Sequence, residues 1–130
     1  MNNKSTPKVR KPTQAELALL RVLWQHGALT AKQVYELAQQ DRPEINQATV
    51  LRQLQIMHTD GLLNRDESAR SHVYAAAQAQ KKLQTNLLQD FIQKAFSGSG
   101  KELVMAALKE HVSEQDRAEI QQFLHQEKSK

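Results

Sequence analysis

Three helix starts stand close together in the first half of this chain, and no other feature constrains its fold as strongly. Thr13 with Glu16 forms a T-x-x-E capping box, Thr30 with Gln33 forms a T-x-x-Q box, and Asn46 is a good N-cap for a third helical run. In each box the hydroxyl accepts from an orphan backbone N–H of the first turn, while the Glu or Gln reaches back to the cap. Apolar residues then recur at helical spacing. Leu17, Leu20, Val22, Leu23 and Trp24 mark the first run, and Val34, Leu37 and Ala38 the second. The spacing predicts helices over 14–26, 31–40 and 47–60. Gly27 and Gly61 act as stops, and Arg42, pushed out of the helical region by Pro43, ends the second helix.

After Gly61 the rhythm changes. Residues 62–65 and 72–75 are short runs with strand-like residues, separated by the polar DESARS stretch. They read as a β-hairpin with an exposed tip. Three helices followed by a hairpin is the order of a winged helix-turn-helix. The remainder turns helical again, over about 79–96, 100–111 and from Ser113 onward. The fold class is therefore mainly α: a winged helix-turn-helix with a small β-hairpin wing, followed by a helical region. The expected division is a basic flexible tail over 1–12, a winged-helix domain over 13–76 and a helical dimerisation region over 77–127.

Stepping round the third helix at about 100° per residue puts Val50, Leu51, Leu54, Met57 and His58 on one side, expected to be the core. The other side collects Ala48, Thr49, Arg52, Gln53, Gln55, Ile56 and Thr59. Small and hydrogen-bonding side chains can approach base edges closely, and Arg can take guanine in two bonds. A solvated face would carry more Lys and Glu. Taken alone, the helix suits a polar surface almost as well; its place before a hairpin favours recognition. Gln47, Ala48, Thr49, Arg52 and Gln53 are therefore the expected base-reading set, with Arg70 and Ser71 of the wing on phosphates. Lys32 of the second helix and Lys8, Arg10 and Lys11 of the tail complete the expected DNA contacts.

Charge supports the same class of partner. The net charge is +4, and Lys4, Lys8, Arg10 and Lys11 account for all of it: 18 basic residues less these four leave 14, against 14 acidic ones. A basic arm on a neutral body fits a segment lying on phosphates. The chain has no Cys, hence no disulfide framework and no thiolate metal site. Its His residues lack metal-ligand spacing, so neither a metal nor another cofactor is expected. No nucleophile–base arrangement or phosphate loop points to an enzyme. No apolar run is long enough for membrane insertion, and the first residues lack a secretory apolar stretch, which makes the cytoplasm the expected location.

The pieces T-x-x-E-L-A-L-L-R-V-L-W, LTAKQVYEL, ATVLRQL with GLLNR, and R-S-H-V-Y are shared by many winged helices. The later F-x-G-S-x-x-x-L-V, here Phe96 to Val104, and S-E-Q-D-R-A-E-I-Q-Q-F-L are the discriminating part. Together they resemble the penicillinase repressor family of winged-helix transcriptional regulators, from about Thr13 to His125. The resemblance implies a homodimer that binds double-stranded inverted-repeat operator DNA and represses transcription. Its helices after the wing would interlock between chains, through Leu83, Leu87, Leu88, Phe91, Ile92, Phe96, Leu103, Leu108, Ile120, Phe123 and Leu124. It also implies a membrane metallopeptidase sensor as releasing partner. That release cuts an Asn-Phe bond where this chain has Ala106-Ala107, and Ile56 stands where many members have Arg. The Cys pairs of the copper-responsive branch are missing. The competing reading is a winged-helix protein-interaction module without specific DNA binding, to which the near-neutral body is also suited.

Overall fold

The computed structural model describes residues 9–128. In chain order these form α1 (Gln14–His26), β1 (Leu29–Thr30), α2 (Ala31–Asp41), α3 (Gln47–Thr59), β2 (Leu63–Asp66) and β3 (Val73–Ala76). Then follow α4 (Gln80–Ala95), α5 (Gly100–Glu110) and α6 (Glu114–Lys128). The helix starts obey their local chemistry. Thr13 Oγ1 accepts from Glu16 N at 3.1 Å while Glu16 Oε1 accepts from Thr13 N at 3.0 Å, and Thr30 and Gln33 repeat the exchange. Asn46 Oδ1 accepts from Thr49 N at 2.8 Å to open α3. Gly27 and Gly61 take φ of 86° and 87°, where a side chain would be strained, so both turns need glycine.

The expected hairpin is present, but the sheet has three antiparallel strands in the order β1-β3-β2. Leu29 pairs with Tyr74 and Thr30 with Val73, which makes the two residues before α2 an edge strand. Two residues carry no strand pattern of their own; β3 supplies the ladder. Tyr74, at the middle of that sheet, is buried under α1, and Leu63 enters the same core from β2. Leu19, Leu20 and Leu23 from α1, Val34 and Ala38 from α2, and Val50, Leu54 and Met57 from α3 fill the rest. Burying one such Leu or Met stabilises the fold by about 1.5–3 kcal/mol.

The chain divides into two compact units, Met1–Thr85 and Asn86–Lys130. The first therefore runs further than the expected boundary at residue 76. Trp24 Nε1 donates to the Gln78 carbonyl at 2.9 Å, and Leu83 in the second turn of α4 is 7% exposed. Leu83 lines a small cleft with Leu20, Trp24 and Leu62, all of the first unit. It is a core residue of the winged helix, which corrects its expected place in a dimer interface: its helix continues the apolar pattern, but its neighbours belong to α1.

The second correction concerns the tail. Residues 9–11 lie against the domain. Arg10 sends Nη1 and Nη2 to the two carboxylate oxygens of Glu16, at 2.7 and 2.9 Å, and Nε to Asp60 Oδ2 at 2.8 Å. One guanidinium thus ties the first turn of α1 to the C-cap of α3. Val9 stands over Gly61, where an added Cβ would meet its Cγ2 at 3.5 Å. Arg10, expected on phosphates, is committed to two carboxylates, because a planar fork finds a buried partner within six residues.

In the second unit Ser99 caps α5 through Glu102 N, and Ser113 caps α6 through Asp116 N. Phe91 and Phe96 meet edge to face with ring centroids 5.8 Å apart, and the Arg117 guanidinium donates to the Leu108 carbonyl. α5 and α6 contain no buried residue.

Candidate nucleic-acid interface

The candidate interface is the outward side of α3 together with the tip between β2 and β3. Val50, Leu54 and Met57, each fully buried, form the inward seam of α3 and hold the helix against α2 and β2. Gln47, Ala48, Thr49 and Arg52 are exposed, as a base-reading set requires. Arg52 makes no ion pair or side-chain hydrogen bond among the described residues. No acidic side chain occurs between Gln47 and Thr59. The first acid, Asp60, is held by Arg10. That pairing partly offsets a carboxylate at the C-terminal end of the helix, where the macrodipole disfavours negative charge.

Two residues of α3 sit otherwise than the helical wheel predicts. Leu51 is exposed, and Gln53 is half-buried, with an amide Oε1 that is buried and meets no donor among the described residues. The buried seam is centred between Val50, Leu54 and Met57. That centre lies nearer to Gln53 than to Leu51, so a few tens of degrees of rotation exchange their environments. Gln53 is thus turned toward the protein rather than fully outward.

On the wing, Arg70 and Ser71 are exposed at the tip. Arg65 is engaged: its Nε donates to Glu67 Oε2 at 2.7 Å. The Glu67 carboxyl is held below its usual range by that guanidinium, and Asp66 is lowered by the Ser68 backbone N–H. The acids beside Arg70 therefore stay ionised, and one of them is balanced by Arg65. Lys32 is exposed in the first turn of α2, and Lys11 is exposed just before α1. Lys8 lies outside the described residues. Among the described residues no cluster of His, Asp and Glu could hold a metal ion. No described helix is long and apolar enough to cross a membrane.

A family model described as Penicillinase repressor matches residues 12–126, which span all of the elements just described but the last two residues of α6. This chain belongs to the penicillinase repressor family. Its members are regulators of transcription rather than enzymes. None of the curated proteins matches the chain. For a penicillinase repressor family member, α2 and α3 form the helix-turn-helix and the β2–β3 tip is the wing.

The expected dimer residues other than Leu83 lie in the second unit and split by exposure. Leu88, Phe91, Phe123 and Leu124 are roughly half exposed, whereas Leu87, Ile92, Phe96, Leu103, Leu108 and Ile120 are partly covered. Val104 and Met105, outside the expected dimer set, are also half exposed. Both fall on the outer side of α5, and apolar residues there were the available signal.

Proposed function

We propose that this protein is a homodimeric, sequence-specific transcriptional repressor that acts on inverted-repeat operators in the cytoplasm. The observation that carries the reading is the outward face of α3: exposed Gln47, Ala48, Thr49 and Arg52, with no acid before Asp60. Thr49 and Arg52 read base edges in the major groove, worth about 1–3 kcal/mol of discrimination for each good two-bond pair. Arg70 and Ser71 on the wing, Lys32 at the start of α2, and Lys8 and Lys11 before α1 contact phosphates and set register.

Dimerisation is supported by the apolar side chains that the second unit leaves open: Leu88, Phe91, Val104, Met105, Phe123 and Leu124. Exposed apolar side chains at this density mark an interaction surface. Two-fold pairing would set the recognition helices in successive major grooves, about 34–36 Å apart or a multiple of that spacing. A membrane metallopeptidase sensor as the releasing partner is weakened by Ala106-Ala107 in α5.

The test is a gel-shift titration against the promoter of its own gene and against random duplex at several salt concentrations. The repressor reading expects a saturable site with a clear preference over random DNA, and Arg52→Ala should narrow that preference. Removing residues 1–8 should weaken both kinds of binding and flatten the salt dependence. Equal affinity for both duplexes would favour the protein-interaction module.

A further inference from the structure

Leu51 is 39% exposed in the N-terminal half of α3, although the helical period assigns it to the core. A single exposed Leu is ordinary on a protein surface. Its setting is not ordinary. Of its neighbours at three and four residues, Leu54 is buried in the core, while Gln47, Ala48 and Gln55 are exposed, small or hydrogen-bonding, and uncharged. Arg52 stands beside it without an ion pair among the described residues, and the helix carries no acid. The strip carries no negative charge to oppose the phosphates, and Leu51 is the one large apolar side chain near its start, beside the small Ala48. The apolar group that base pairs present in the major groove is the 5-methyl of thymine. N-terminal residues of a recognition helix are those that reach base edges.

We propose that Leu51 is a specificity-determining residue that packs on the 5-methyl group of a thymine in each operator half-site. The inference rests on the assignment of α3 as the recognition helix. It sets a hydrophobic reader between hydrogen-bonding ones, so that Gln47 and Arg52 select by donor and acceptor pattern while Leu51 selects by a methyl group. Ile56, 42% exposed, lies in the C-terminal half of α3, further from the bases.

The experiment uses the full chain and duplexes that it selects from a random-sequence pool. Each thymine of the preferred sequence is replaced in turn by uracil, which removes the 5-methyl and leaves every hydrogen-bonding group. Burial of one methyl predicts a loss of about fourfold at one thymine per half-site, and about fifteenfold when both half-sites are changed. Leu51→Ala should bind thymine and uracil duplexes alike with at most a small fall in unfolding temperature, since the side chain is 39% exposed and lies outside the fully buried seam of α3. Insensitivity to uracil at every position would overturn the proposal while leaving the repressor reading intact. So would a Leu51→Ala protein that keeps the wild-type sensitivity. A pool that yields no preferred sequence would overturn both.

Discussion

Leu54 in the first compact unit is fully buried, whereas Leu124 in the second is 60% exposed, though each lies on the apolar side of its helix. The contrast extends through both units. In Met1–Thr85 three helices and a small sheet close on one another, and every buried apolar side chain among the described residues belongs to that unit. In Asn86–Lys130 the helices are as well capped, yet no described side chain is buried. Capping satisfies a helix end within a turn; a core needs surfaces on several sides. A unit of this length has too little of its own surface to cover its apolar faces. The lesson is that helical periodicity identifies the face to be covered and is silent about whether the same chain covers it.

The sharpest way to break that comparison is to end the chain at Thr85. The fragment keeps Leu83 and the Trp24–Gln78 bond, so it should remain folded and sediment as a monomer. Its operator affinity should fall by about 10²–10⁴ because the half-sites are no longer linked. A dimeric fragment would transfer the pairing surface to the first unit.

A pair of truncations compares the units directly. Leu54→Ala should cost about 2–5 kcal/mol, a buried cavity, at any protein concentration. Leu124→Ala should cost less, with a loss that changes on dilution, as a contact between chains requires. Urea unfolding at two protein concentrations measures both, and equal losses at both concentrations for Leu124→Ala would remove the distinction.

Arg10→Ala comes next, at about 1–2 kcal/mol, because the guanidinium is partly solvated while Glu16 is buried. Glu16 is held below its ordinary value of 4.5, first by Arg10, with help from the Thr13 backbone N–H. A carboxyl lowered in the folded state contributes stability that is complete above the ordinary value and disappears as pH falls through the lowered one. The wild-type advantage over Arg10→Ala should therefore shrink in acid, which urea unfolding at neutral and strongly acid pH would register. Unchanged stability with weakened DNA binding would instead return Arg10 to the phosphates. The smallest effect is expected from Asn46→Ala, about 1 kcal/mol from the lost cap of α3, read as a lower unfolding temperature.

The capping residues, the glycine stops, the strand runs and the apolar faces were legible along the chain, and with them the winged helix and the face of α3 turned outward. Each depends on residues within a turn or two of one another, where covalent geometry and local hydrogen bonds dominate. Four features were decided only when distant elements met. Arg10 finds Asp60 fifty positions away; Leu83 packs with Leu20 and Trp24; β1 becomes a strand on meeting β3; and a modest rotation of α3 exposes Leu51 while tucking in Gln53. Spacing along one helix measures angles about its own axis, and the direction of the core about that axis is set by the other helices and the sheet.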